Sequence, residues 1–191
     1  PLPLLPLRGV SILPGLTAPV DLSRQSPAMQ AVRRAGDRRP GEPRGRLVLG
    51  ILRENTANPE LEQLQPIGVA CEVVQVLPGT PGRMSVVLRG ISRVRLLDVF
   101  NEKDHQVVRV ASGVDTMRAA TLAYALGGAL QDLVKQHDAL LPSASKTKQR
   151  AQGLAAILAE RSPGMISDLC AAHLDLDDED KLPILLETEV S

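Results

Sequence analysis

Aromatic side chains are almost missing from this sequence: Phe100 and Tyr124 are the whole complement, and there is no tryptophan. A base-stacking surface or an aromatic cage is therefore excluded as the basis of binding, since both need several π faces. Net charge is missing too, because 22 basic residues balance 22 acidic ones. That balance asks for neither nucleic acid nor an anionic membrane, so any charge effect must be local. Cysteine is scarce, and Cys71 and Cys170 stand alone in apolar surroundings without CxxC spacing. Buried thiols in a reducing compartment, the cytoplasm, fit this better than a disulfide framework. No apolar stretch approaches the roughly 20 residues of a membrane-spanning helix. The apolar opening carries Pro1, Pro3, Pro6, Pro14, Pro19 and Arg8, which break the continuous helix of a signal peptide. A chain that opens at Pro1 rather than methionine is expected to be a processed protein or a piece of a longer one.

Catalytic and nucleotide motifs are missing as well. The sequence holds no GxxxxGK[ST], no GxGxxG, no GxSxG and no HExxH, so no phosphate loop or hydrolase site is expected and no cofactor is implied by the chain itself. His105, His137 and His173 are scattered; His105 in a strand and His137 on a charged helix end read as solvent-facing, and no metal is expected. The acidic run around Asp177 and Asp178 begins like a calcium loop. It then puts Asp180 where the sharp turn needs glycine and Leu186 where a bidentate acid is needed. These carboxylates are better read as acid placed before a helix N-terminus.

What is present falls into two parts. Up to about residue 112 the pattern is β. Proline-broken extended runs at 4–10 and 11–20 read as edge or first strands. A compact apolar run follows at 47–52, and strand character at 67–77 and 83–99 flanks the turn sequence PGTPG. The alternation slips at Val74, which predicts a bulge, and Gly90 predicts a bulge or a close backbone approach. One more strand is expected at 105–111. A short helix is expected at 26–34, with Ser26 as N-cap and Pro27 after it.

From about residue 115 the period becomes helical: Met117, Leu122, Leu126, Leu130, Leu133 and Val134 recur at three- and four-residue steps. Further helices are expected at 146–160, from Ser162-Pro163 to about His173, and after an N-cap near Asp180 that would place Pro183 in the first turn. Strands followed by helices argue an α+β fold, with a β-rich unit at 1–112 and a helical unit at 113–191.

Two stretches could bind a partner. Arg33, Arg34, Arg38, Arg39, Arg44 and Arg46 form one basic segment, which could touch phosphates or simply be a solvated loop; without aromatics the solvated loop is preferred. Leu7, Leu13, Leu16, Pro19 and Val87 are apolar residues in proline-rich or otherwise polar surroundings, and are the candidates for an uncovered apolar patch that catches hydrophobic segments of another chain.

The opening LPLLPLRGVSILPG, the following TAPVDLSR, the segment NPELEQLQPIGVACEVVQVL, the arm VVLRGISRVRLLD and the closing SPGMISDLCAAHLDLDDEDKLPILLETEV occur in an order that resembles the amino-terminal substrate-binding domain of Lon-type ATP-dependent proteases. The resemblance covers nearly the whole chain. It implies a PUA-like β pseudo-barrel followed by a helical bundle, recognition of unfolded or damaged proteins, and help in assembling a hexamer. It also implies that the ATP-binding and Ser-Lys protease modules, with their ATP and magnesium, lie in a parent protein beyond Ser191. A stand-alone domain of the same type is the alternative.

Overall fold

The structure is a computed structural model that describes residues 1–36, 45–56, 58–112, 116–117, 120–140, 142, 148–160, 162–174, 176–187 and 189–190. It divides into two compact units, Pro1–Val114 and Asp115–Ser191. The fold class is α+β.

The first unit contains six strands, β1 (Leu2–Leu7), β2 (Thr17–Ser23), β3 (Arg46–Ile51), β4 (Ile67–Pro78), β5 (Arg83–Asn101) and β6 (Gln106–Ala111), with helix α1 (Pro27–Gly36) between β2 and β3. They form one sheet in the order β2-β5-β4-β3-β1-β6, and β6 pairs again with β5, which closes the sheet on itself. Strand β5 serves both sides of the closure: Arg83–Arg89 pairs with β2, and Arg95–Asn101 pairs with β6.

The prolines of β1 do not mark an edge strand, as their spacing suggested, because β1 lies between β3 and β6. Leu2–Leu4 pairs with β6 and Leu4–Leu7 pairs with β3, so only Leu4 has a neighbour on both sides. Pro3 and Pro6 therefore each sit where one flank is open, which is where a residue without an N–H is tolerated. Leu4 joins Val48, Leu52, Leu64, Val94, Leu96 and Val108 in the barrel interior. Each such burial contributes about 1.5–3 kcal/mol, before the entropy of ordering the chain is counted.

Helix α1 starts where its sequence says it should. The Ser26 hydroxyl accepts from the Met29 N–H at 3.2 Å and donates to the Ser23 carbonyl at 2.8 Å. Met29, Ala31, Val32 and Ala35 are buried; the helix packs against β1 and β3. Gly45, at φ +64°, turns the chain back: its N–H donates to Ala35 at 3.0 Å, and its carbonyl accepts from the Val73 N–H at 2.7 Å. This ties the end of α1 to the middle of β4.

Both glycine and slip signals in the long hairpin are realised. The pairing of β4 with β5 shifts between Ala70 and Cys71 and again between Val73 and Gln75. At Gly90 the backbone of the 11–14 segment crosses the strand: a Cβ there would lie 2.3 Å from the Leu13 carbonyl oxygen.

The second unit carries α2 (Ala120–Leu140), α3 (Lys148–Ala159), α4 (Pro163–His173) and α5 (Asp178–Leu186), plus a two-residue parallel pair, β7 (Thr116–Met117) with β8 (Glu189–Val190). Val134, Ile157, Ile166 and Cys170 form its core. Gln131 fixes α3 against α2 by donating to the carbonyls of Ile157 at 2.7 Å and Glu160 at 3.0 Å. The last helix begins three residues earlier than an N-cap at Asp180 requires: its N-cap is Asp177, and Pro183 lies inside the helix. The proline removes the bond that would run to Glu179, but Glu179 is exposed and water can serve its carbonyl. Asp178, Glu179 and Asp180 occupy the first turn, where they offset the helix dipole.

Candidate functional site

In the first unit a groove of about 480 Å³ runs between α1 and the outer part of the β4–β5 hairpin. Its apolar walls are Met29 and Val32 from α1, Val73 and Val76 from β4, and Met84 from β5. Met29 and Val32 are buried core residues that show one side to the groove, whereas Val76 is exposed. Two methionines give the site deformable walls that adapt to side chains of different shape.

The bulge at Val74 builds this groove. In a regular strand, Val73 and Val76 would point to opposite faces, because they are three residues apart. The extra residue restores the phase, so that Val73 lies opposite Leu88 and Val76 opposite Val86. Leu88 and Val86 are both fully buried on the inner face of β5. Both valines therefore turn toward α1, while Val74 itself is left exposed.

The polar rim is of one sign. Arg24 and Arg33 are the charged residues lining the groove. The Arg24 guanidinium donates to the Met84 sulfur at 3.7 Å. Glu72, next to Val73 in sequence, is engaged on the other face of the sheet by Arg89. Sequence reasoning missed Met29, Val73, Val76 and Met84 as surface candidates. The slip at Val74 was the available signal, since it announces that residues beyond it change face.

The residues singled out from sequence do not form one patch. Pro19 lies opposite Val87 across the β2–β5 pair; Pro19 is exposed and Val87 half-buried, on the sheet face away from Val86 and Leu88. Leu16 is half-buried just before β2, and its carbonyl accepts from the Gly90 N–H at 2.9 Å. Leu7 is half-buried on β1, far along the sheet, where its carbonyl accepts from Leu52. Leu13 has to be corrected: it is completely buried, because the 11–14 segment lies across Gly90 instead of running along the surface. It is a core residue and offers nothing to a partner.

Of the arginine segment, Arg33 and Arg46 are exposed at the end of α1 and the start of β3, and Arg34 is half-buried. The Gly45–Ala35 hydrogen bond brings these two element ends together. Arg38, Arg39 and Arg44 lie outside the described residues.

A second concavity of about 250 Å³, beside the β5–β6 turn, is polar. His105 lines it and is buried, not solvent-facing as its strand position suggested. Its Nδ1 lies 2.9 Å from Asp104 and its Nε2 lies 3.5 Å from Glu102. The hydrogen bond with His105 holds the Asp104 carboxyl below its ordinary pKa. Gln106 clamps the 58–60 loop by donating to the Pro59 carbonyl at 3.2 Å. Among the described residues no three His, Cys, Asp or Glu side chains converge as a metal site. Burial pushes the Cys71 thiol up to about 12, and burial also raises Cys170. Both are poor nucleophiles at neutral pH, since the thiolate is the reactive form.

The chain matches the family model of the ATP-dependent protease La (LON) substrate-binding domain over residues 1–191. It belongs to that family. It is 26% identical over 192 residues to the Lon protease of Heliobacterium modesticaldum, a match that covers 100% of this chain and 22% of the relative. It is 25% identical over 194 residues to Lon protease 2 of Thermus thermophilus, with the same coverage of 100% and 22%. The chain thus spans about a fifth of the length of the curated relatives it matches. Among solved structures, the N-terminal domain of Mycobacterium avium complex Lon protease shares the fold at a TM-score of 0.70 and 18% identity, over 99% of this chain and 91% of that one. Among the described residues no helix is long and apolar enough to cross a membrane.

Proposed function

We propose that this chain is the client-capturing part of a cytoplasmic Lon-type ATP-dependent serine protease, and that it holds extended apolar segments of unfolded or damaged proteins in the groove between α1 and the β4–β5 hairpin. The observation that carries the reading is the apolar, methionine-containing groove, continued outward by the exposed Val76. In native proteins such apolar segments are covered, so a groove that rewards apolar burial discriminates by folded state and needs no sequence code. The Pro19–Val87 row adds a smaller contact on the opposite face. No phosphate loop occurs in the 191 residues, so ATP, magnesium and the Ser-Lys chemistry belong, in this reading, to the rest of the enzyme.

Assembly into a hexamer is the second part of the proposal. On α2, Leu126, Leu133 and Leu140 are exposed at seven-residue spacing, with Leu122 four residues before the first. The packed side of the same helix is formed by Ala123 and Val134. Leucines at four- and seven-residue steps form one exposed apolar stripe of the kind a coiled-coil seam uses, which suits the same helix of a second copy. The capture reading is tested with the 191-residue chain, a reduced and alkylated client that stays unfolded, and its native form. The unfolded client should bind at least tenfold more tightly; equal binding, or none, contradicts the proposal.

A further inference from the structure

The capture groove holds information about its occupant beyond apolarity. Among the described residues that line it, the two charged ones are both arginines, and none is a carboxylate. Arg24 and Arg33 are exposed, and neither takes part in an ion pair with a described residue. Elsewhere on the same sheet two exposed arginines are matched, Arg89 with Glu72 and Arg109 with Asp98 at 3.1 Å. Helix α1 adds to the imbalance, since its first turn has no acid and its last turn carries Arg33.

An apolar floor between two unmatched guanidiniums is complementary to an extended segment whose apolar core is flanked by carboxylates. Each arginine fork can take a carboxylate in a bidentate manner at the rim, where water still solvates the pair. A lysine-flanked segment with the same core would meet like charge instead. We infer that the groove prefers apolar segments bordered by Asp, Glu or a chain-terminal carboxylate, and disfavours those bordered by Lys or Arg. This rests on the capture reading above and deepens it. Nucleic acid is a poorer fit, because the walls between the arginines are aliphatic and offer bases nothing to stack on.

The test uses two fluorescein-labelled peptides that share one Val/Leu/Met core and differ only in flanking Glu or Lys, titrated with the 191-residue chain at low salt. The Glu-flanked peptide should bind roughly fivefold more tightly, the size that two exposed ion pairs support. That preference should shrink as salt is raised, because exposed pairs are screened. It should vanish in Arg24→Gln/Arg33→Gln, which alters exposed side chains and leaves the apolar walls intact. Equal binding of the two peptides, or a preference that survives the double substitution, overturns the inference while leaving capture standing. Failure of both peptides to bind overturns the capture reading and the inference together. Displacement of the peptide by a single-stranded oligonucleotide at equal concentration also overturns it.

Discussion

Pro19 and Val87 face each other across the β2–β5 pair, one on an edge strand and the other on the strand that organises the whole sheet. A proline can stand there because β2 has no partner on its far side. The pair forms an apolar row on the face opposite the groove. If that row touches clients, Pro19→Ser/Val87→Thr should weaken binding of an unfolded protein two- to threefold. Stability should change by less than about 1 kcal/mol, as expected for positions outside the core. Anisotropy titration and urea unfolding of the same samples check both numbers.

Gly90 is the point at which the N-terminal segment locks onto the sheet. A methyl group there would lie 2.3 Å from the Leu13 oxygen and 3.0 Å from its carbonyl carbon, and backbone atoms cannot yield as a flexible side-chain tip can. Gly90→Ala should therefore destabilise the chain by about 1–3 kcal/mol, the usual cost of overpacking. A change below about 0.5 kcal/mol in urea unfolding would contradict the crossing.

Much of this architecture was legible in the residues. Pro78-Gly79 and Gly82 announced the hairpin, Ser26-Pro27 the start of α1, and Gly90 the close approach, because each is a local steric or capping requirement. What stayed hidden depends on partners distant in sequence. Leu13 looked exposed because proline surrounds it, and only the path of its segment over β5 buries it. Pro3 and Pro6 suggested an edge, whereas staggered pairing of β1 on its two sides accommodates them internally. The groove is a tertiary product of α1 and a bulged strand, so the phase slip at Val74 hinted at it without naming its walls.

Cys71 makes stability depend on alkaline pH. Its folded-state pKa is raised from the ordinary 9.0 to about 12 by burial. A raised thiol pKa means that the unfolded chain releases its proton first as pH rises, so stability is fully present below pH 9.0 and is lost between there and about 12. Unfolding free energy should fall by up to about 1.4 kcal/mol per pH unit more steeply in the wild type than in Cys71→Ala. Denaturant melts at pH 8, 9.5 and 10.5 would reveal the difference in slope; parallel slopes would contradict the burial.

The exposed seam on α2 should control self-association. Leu126→Lys/Leu133→Lys places like charges along it without entering the core, because both leucines are solvent-exposed. Sedimentation or sizing across micromolar concentrations should detect larger species for the wild type and monomer for the variant, with unchanged helix content. Identical profiles would remove α2 from any assembly role.

The most direct test of capture places a carboxylate on the groove wall. Val76 is 39% exposed, so Val76→Asp should fold normally while making its apolar wall polar. Measured by anisotropy with a permanently unfolded, uncharged-core client, binding should weaken at least fivefold relative to wild type, and relative to the control Val74→Asp on the bulge. Undiminished affinity in Val76→Asp, with melting temperature preserved, would show that clients are held elsewhere.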